Sequence, residues 1–212
     1  HLLNDRQDTW CERVFAPWPD MEEVMRQNNI KLFGLESRDE INKFDFVGFT
    51  LQYEMSYTNV LNMLDLAGIP VFSKDRSGND PFVMCGGPCA YNPEPLWEFV
   101  DIFVIGESEE ALPEILDVYK EWKKKGSSRK DFLESIVNIK GVYIPSFYDV
   151  QYNKDGTIKR FYPVDEKYPS RVRKRIIKHL DNVYFPDRII VPFTDIVHDR
   201  IMLEVFRGCT RG

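Results

Sequence analysis

The sequence predicts an α/β protein with a doubly wound parallel sheet, and three observations lead to this fold class. Several short segments are almost continuously apolar, which is typical of strands buried on both faces of a sheet. A helical pattern follows each of them, and the connections are short. Hydrophobic residues make up 43% and aromatic residues 14% of the 212 residues, enough for a sizeable core.

The strands and helices of this Rossmann-like unit can be placed in order along the chain. Strands are predicted over 44–51, 82–85 and 101–105. The helices that follow them are predicted between Ser56 and Gly68, over 95–99 and over 109–123. The last helix carries apolar residues on one face, as expected for a helix that packs on a sheet.

Smaller elements are predicted before the first buried strand. Residues 10–16 are a short strand candidate that two following prolines end. Asp20 can cap a helix over 21–27, and a second short strand is predicted over 32–35.

A different organisation is predicted after Gly126. A small helix is expected over 129–138. Asp155-Gly156 then lies between two β-rich runs, 141–152 and 157–164, which predicts a β-hairpin.

The last part of the chain is predicted to be an extended crossing segment, 165–200, that leads into a buried strand over 201–206. We therefore expect a Rossmann-like domain over 1–125, a helix and hairpin over 126–165, and a linker with a first strand over 166–212. The absence of an initiator Met and the end within a motif suggest a fragment of a longer protein.

Composition excludes several functional classes. The net charge of −6 and the pI near 5.2 argue against a dedicated nucleic-acid binder, and no DNA-binding signal is evident. No apolar run approaches the ~18 residues of a membrane span. Four cysteines are too few for a disulfide scaffold, so a cytoplasmic location is expected. Basic residues at 171–178 suggest a charge-protected edge strand, with an RNA contact as the alternative.

Ligands of doubly wound sheets bind at the carboxyl ends of the strands. Gly86 and Gly87 end the second strand, where they allow either close approach of a flat ligand or a tight turn. Glu107, directly after Gly106, is placed to face a ligand, whereas the next acidic residues favour self-capping of the helix. Cys85 and Cys89 are interpreted as structural thiols. The glycine-rich motifs of nicotinamide and P-loop sites are absent from the sequence.

The segment 203–212, Leu-Glu-Val-Phe-Arg-Gly-Cys-Thr-Arg-Gly, resembles the opening of a radical S-adenosylmethionine domain. In that family a C-x3-C-x2-C loop supplies three thiolates to a [4Fe–4S] cluster, and the fourth iron binds S-adenosylmethionine. The resemblance implies that Cys209 is the first metal ligand and that 210–212 are spacer residues. The other two cysteines would follow Gly212.

Most of residues 40–120 resemble the cobalamin-binding-type domain that precedes the radical domain in a bacterial subfamily where the two are fused. The matching segments are 45–51, 86–90 with 93–95, and 100–107. The resemblance implies cofactor-binding roles for Thr50, Leu51, Gly86, Gly87, Gly106 and Glu107. The D-x-H-x-x-G loop that supplies the lower cobalt ligand is absent, so cobalamin stays an open alternative.

The resemblance implies an N-terminal portion of a radical S-adenosylmethionine enzyme whose cluster cleaves S-adenosylmethionine reductively. Its partner would be the remainder of its own radical domain, and its substrate a small molecule or RNA. We expect this portion alone to be inactive, because it supplies one of three thiolates. The alternative is a cofactor-free Rossmann-like scaffold or docking module that could also bind RNA.

Overall fold

The computed structural model describes residues 1–197, 200 and 203–209. The α-helices are α1 (Pro19–Gln27), α2 (Tyr57–Ala67), α3 (Ser108–Lys125) and α4 (Arg129–Ile136). The strands are β1 (Phe46–Thr50), β2 (Phe82–Gly86), β3 (Ile102–Val104), β4 (Val142–Tyr143), β5 (Tyr148–Tyr152) and β6 (Ile158–Pro163). Short 3-10 helices cover Ile41–Lys43, Glu54–Ser56, Ser73–Asp75, Pro88–Tyr91, Glu94–Leu96, Pro145–Phe147 and Leu180–Asn182.

The main sheet of the described chain has the order β1-β2-β3-β4. β1 is parallel to β2, with Phe46 opposite Phe82, and β2 is parallel to β3, with Met84 opposite Ile102. β4 is antiparallel to β3. The predicted fold class is therefore confirmed as a Rossmann-like α/β fold with a mostly parallel sheet. Its spatial order follows the chain order, so strand order does not reverse among these four strands.

The antiparallel direction of β4 follows from the two helices that precede it. α3 leaves the carboxyl end of β3, and α4 begins beside the amino ends of the strands, where Arg129 donates to the carbonyl of Pro81 at 2.8 Å. The chain then returns to the carboxyl end of β3, where Ile105 N donates to the carbonyl of Gly141 at 2.7 Å. Because each of the two helices reverses the chain, β4 starts at the carboxyl ends of the parallel strands and runs antiparallel to β3.

Aromatic rings join α3 and α4 to one face of the sheet. Phe132 of α4 lies 4.6 Å from Phe82 and 6.0 Å from Phe46, between ring centroids. Tyr119 and Trp122 of α3 lie 5.3 and 5.4 Å from the Phe132 ring. Tilted and edge-on ring contacts at these distances add to the free energy gained from burial. These contacts therefore hold the second half of α3 and α4 against the sheet.

A buried ion cluster ties the amino ends of β2 and β3 to α4. The Asp101 carboxylate accepts hydrogen bonds from Arg76 Nη1 and Arg129 Nη2, both at 2.8 Å, and from Val83 N at 2.7 Å. The Arg76 side chain is 0% exposed, and burial lowers the pKa of its guanidinium. The Arg129 guanidinium also lies 3.8 Å above the ring of Phe82.

Several predicted boundaries are confirmed. Gly68 ends α2 with a left-handed φ of +69°. The Asp-Gly turn joins β5 to β6, with Gly156 at φ +83° and Asn153 N donating to Thr157 O at 2.8 Å. The hairpin begins only at Tyr148, because Val142–Tyr143 instead pair with β3.

Other predicted elements are wrong or shorter. Residues 10–16 form no strand, because they have no paired ladder; Arg13 O merely accepts from Leu35 N. The strand over 32–35 reduces to one bridge between Phe33 and Glu40. The helix over 95–99 is only the 3-10 turn Glu94–Leu96, since Pro93 and Pro95 limit the backbone.

The strand predicted over 201–206 is not confirmed. Residues 201 and 202 lie outside the described residues, and 203–207 have no regular secondary structure. Leu203, Val205 and Phe206 are more than 70% exposed. A strand needs a partner for its backbone groups, and the described part of the chain pairs no strand with this segment.

In the described residues, no helix combines the length and the apolar character needed to cross a lipid bilayer. The division at 125 and 165 stays a prediction. Elements after Lys125 contact elements before it, since α4 packs on the sheet and β4 joins it.

Replacing Asp101 by Asn is expected to lower the free energy of unfolding by roughly 3 kcal/mol, because two buried guanidinium groups lose their compensating charge. Urea unfolding followed by circular dichroism measures the change. Glu121→Gln, which breaks an exposed pair with Lys124, serves as the control and should have no measurable effect. Equal stabilities of the two variants would contradict this role of Asp101.

Candidate functional site

The predicted cofactor-binding residues of β1 and β2 lie together at the carboxyl edge of the sheet. Thr50 is the register partner of Gly86. Leu51 N donates to Gly86 O at 2.7 Å, and Leu51 O accepts from Cys89 N at 3.0 Å. The sequence correctly grouped these residues because parallel strands end at one edge. Thr50 is exposed, whereas Leu51 is buried.

Gly87 occupies a tight turn against the neighbouring strand end. Its φ is +96°, and an added Cβ would lie 2.9 Å from Leu51 O and 3.0 Å from Leu51 N. These distances are too short for any side chain, so the close approach of the Leu51 backbone accounts for the glycine. A Cβ on Gly86 would meet only Val104 O, at 3.6 Å. Cofactor roles for both glycines stay predictions.

The third strand end is covered by the chain itself. Arg175 N donates to Ile105 O at 2.8 Å, and Arg175 O accepts from Glu107 N at 3.1 Å. This forms a parallel bridge between Arg175 and Gly106, whose φ is +99°. A Cβ on Gly106 would collide with the Arg175 carbonyl and lie 2.7 Å from its nitrogen. The basic segment predicted as an edge strand thus contributes one bridge across this site.

Glu107 connects this crossing to the end of the described chain. One oxygen of its carboxylate accepts from Ile177 N, and the other accepts from Arg207 Nη1 at 3.2 Å. Arg207 also pairs with Glu109 at 2.6 Å and with Glu204 at 2.7 Å. The carboxylates, Glu204 first, raise the pKa of the Arg207 guanidinium. Glu107 therefore faces the chain's own arginine and backbone.

The contacts of Arg207 link the predicted cofactor-binding residue Glu107 to the predicted metal ligand Cys209. Cys209 follows Arg207 by two residues, so their Cα atoms are at most about 7 Å apart. The intervening Gly208 has a φ of +97°. The Cys209 side chain is exposed. The predicted metal ligand is thus tethered near the carboxyl end of β3.

Comparison with known proteins identifies the family. A model described as "Radical SAM proteins, N-terminal" matches residues 1–145, about two thirds of the chain. The chain belongs to this family. An uncharacterized protein of Methanocaldococcus jannaschii is 29% identical over 141 residues, which are 65% of this chain and 25% of that protein. The chain thus spans about a quarter of this relative's length. No solved structure matches the chain.

Membership of the radical SAM family carries implications for cofactors. Its full-length members use S-adenosylmethionine and a [4Fe–4S] cluster. An exposed cysteine after a glycine turn fits one thiolate position of such a cluster, because iron–sulfur clusters are held by cysteine thiolates. The described residues contain no group of three or more His, Cys, Asp or Glu that could hold a metal ion. The comparisons do not support cobalamin.

The other cysteines near the strand ends, Cys85 and Cys89, lie in environments that raise the pKa of their thiols. Burial raises the pKa of the Cys85 thiol to about 12. Desolvation and the neighbouring Glu54 raise the pKa of the Cys89 thiol. Both environments disfavour the free thiolate, and the interpretation of Cys85 and Cys89 as structural thiols stays a prediction.

A cavity of about 800 Å³ lies away from this site, under the N-terminal segment. Its walls include Gly48 and Met84 of the sheet and Ile115 of α3, with Trp10 from the N-terminal segment. None of the predicted cofactor-binding residues lines it. Of its basic residues, Arg6, Lys120 and Lys123 pair with aspartates and Lys43 lies 3.8 Å from Glu40, so each has a carboxylate partner.

Sequence reasoning missed the roles of Arg175 and Arg207. A signal for them exists in the charges, because an acidic turn begins α3 and both arginines lie in otherwise extended segments. The Arg175 guanidinium donates to the carboxylates of Glu110 and Glu114, each at 2.7 Å, so its positive charge is compensated. The acidic turn therefore binds arginines in addition to any self-capping.

Gly106→Ala is expected to lower the free energy of unfolding by roughly 3 kcal/mol, since a methyl group both strains φ and displaces the Arg175 backbone. Limited proteolysis should then cleave near Arg175. Gly126→Ala is the matched control, because Gly126 also has a positive φ, +63°, but open space around it. Its cost should be only roughly 1–2 kcal/mol. Equal losses in the two variants would contradict the crossing.

Cys85 is expected to resist N-ethylmaleimide in the folded chain at pH 8, because a pKa of about 12 leaves a thiolate fraction on the order of 10⁻⁴. Exposed Cys11 provides the internal comparison. Peptide mass spectrometry over time should show alkylation of Cys11 well before Cys85, and equal rates in urea. Equal rates in the folded chain would disprove the burial of Cys85.

Proposed function

We propose that this chain is the N-terminal part of an enzyme that cleaves S-adenosylmethionine reductively. Cys209 would be the first of three thiolate ligands of a [4Fe–4S] cluster, and the other two would come from chain after Gly212. The single observation that carries the proposal is the family match over 1–145, upstream of a cysteine in the resembling motif. A cytoplasmic location suits such a cluster, because the cytosol keeps thiols reduced.

When bound by Cys209 and two further thiolates, the cluster would supply the electron for reductive cleavage of S-adenosylmethionine. Cys209 would provide one thiolate. Gly208 permits the turn that presents it, and Arg207 holds the preceding segment on Glu107 and Glu109. Thr50 and Gly86 lie side by side at the ends of β1 and β2, at the carboxyl edge of the sheet.

The partner we propose is the remainder of its own radical domain. Three apolar side chains just before the motif, Leu203, Val205 and Phe206, are exposed. Tyr53 and Met55 follow β1 at the carboxyl edge and are also exposed, by 62% and 73%. Apolar side chains that are exposed together mark contact surfaces, and the first three lie within four consecutive residues. Pairing of 203–206 with a barrel strand would bury the first set. The substrate is a small molecule or RNA.

The test uses the full-length protein, reconstituted anaerobically with iron and sulfide. We expect about four irons per chain and formation of 5′-deoxyadenosine from S-adenosylmethionine with a reductant. Cys209→Ala should lose most of the iron and all of this product. Cys11→Ser, a change at another exposed cysteine, is the matched control and should retain both. Full iron content in the Cys209→Ala variant would contradict the proposal.

A second candidate function is that of a docking module without a cofactor of its own. The observation that favours it is the Arg175 backbone, which fills the space above Gly106 where a ligand was expected. Mixing the chain with hydroxocobalamin and desalting it tests this candidate. A cobalamin spectrum retained after desalting would contradict the docking module, and colour that is lost is the result this candidate requires.

A further inference from the structure

Arg207 makes contacts across a long stretch of sequence. Its Nη1 lies 3.2 Å from Glu107 Oε1 and its Nη2 lies 2.6 Å from Glu109 Oε1, about one hundred residues earlier in the chain. Its Nε donates to Glu204 at 2.7 Å, within its own segment. One guanidinium therefore joins the start of α3 to the segment that carries Cys209.

The contacts to α3 are better shielded than ordinary surface pairs. The side chains of Arg207, Glu107 and Glu109 are 26%, 24% and 26% exposed, whereas that of Glu204 is 48% exposed. Partly desolvated, charge-assisted hydrogen bonds contribute more than exposed ion pairs. The interactions with Glu107 and Glu109 are therefore those that can fix the segment in place.

Glu107 is itself held on three sides. Its backbone nitrogen donates to Arg175 O at 3.1 Å, and its carboxylate accepts from Ile177 N as well as from Arg207. The close approach of Arg175 to Gly106 fixes the backbone just before it. Such a residue is an anchor whose position is set by the sheet rather than by its own flexible side chain.

We propose that Arg207 is a positioning residue for the cluster: bound to Glu107 and Glu109, it makes the α/β layer fix where the Cys209 thiolate is presented. This inference rests on the proposed function, because it assumes that Cys209 binds the cluster. Cys209 follows Arg207 by two positions, and the single residue between them, Gly208, turns the chain. Loss of the guanidinium would leave the thiolate attached to a loosened segment. It would also leave Glu107 and Glu109 without their shared counter-charge.

The test compares variants of the full-length protein after anaerobic reconstitution. Arg207→Met keeps the length of the side chain and removes its charge, and Arg207→Lys keeps the charge without the planar fork. Glu109→Gln weakens the interaction from the side of the helix. Arg173→Met, at an exposed arginine outside this cluster, is the matched control.

The measurements are the rate of iron loss to excess EDTA and hydrogen exchange of peptides that contain 203–209. We expect Arg207→Met to lose iron at least about tenfold faster than wild type, because it removes the contacts to both Glu107 and Glu109, and one charge-assisted hydrogen bond alone corresponds to about that factor. Glu109→Gln should have a smaller effect in the same direction, and Arg207→Lys should restore part of the retention. Exchange over 203–209 should rise in parallel, and Arg173→Met should match wild type.

Different results would contradict the proposed function and the positioning role of Arg207. A wild-type protein that binds no cluster would contradict the proposed function and, with it, the positioning role. A wild-type protein that holds its cluster, with Arg207→Met and Glu109→Gln losing iron and exchanging at wild-type rates, would overturn the positioning role alone. If Arg207→Met does not fold, the Glu109→Gln variant is used instead, provided that its circular dichroism matches wild type. Its rates of iron loss and of hydrogen exchange then test the positioning role.

Discussion

The candidate site depends on one close backbone contact, the passage of Arg175 over Gly106. Hydrogen bonds on both sides of Gly106, from Arg175 N to Ile105 O and from Glu107 N to Arg175 O, join the extended segment to the carboxyl end of β3. The contact requires glycine, because a Cβ would collide with the Arg175 carbonyl. It brings Ile177 to the Glu107 carboxylate. The location of the Arg207 segment therefore depends on it.

The passage of Arg175 over Gly106 places main chain where the sequence predicts a ligand. A glycine at a strand end suggests room for a ligand, but here the room above Gly106 is taken by main chain. Gly87 likewise accommodates the Leu51 backbone. The layer is thus suited to hold another segment of the protein in place. Such support suits the proposed function, because three thiolates on one loop would have to meet a cluster of fixed geometry.

Much of the fold could be predicted from local patterns. β1, β2 and β3 were evident because strands buried on both faces need continuous apolar runs, and the Asp-Gly turn needs residues that accept positive φ. The strand predicted over 10–16 is wrong, because an apolar pattern alone does not supply a neighbouring strand to pair with. The residues of β4 lie inside the predicted run 141–152, but their pairing with β3 could not be predicted, because it depends on how α3 and α4 direct the chain.

The site was only partly accessible to sequence reasoning. Strand ends placed Thr50, Leu51, Gly86 and Gly87 together, because parallel strands share one carboxyl edge. The ion pairs of Arg207 with Glu107 and Glu109 span about one hundred residues, and no local spacing rule relates such distant charges. The buried cluster around Asp101 was missed for the same reason. Long-range ion pairs become visible only once the topology is known.

The central claim is that Cys209 is one of three thiolate ligands of a cluster whose fourth iron is open to S-adenosylmethionine. Mössbauer spectroscopy of the ⁵⁷Fe-reconstituted full-length protein tests it most directly. If Cys209 is such a ligand, S-adenosylmethionine changes the signal of one iron in four, and replacement of Cys209 removes the cluster signal. Four irons that S-adenosylmethionine leaves unchanged, or a cluster signal that survives replacement of Cys209, would contradict it.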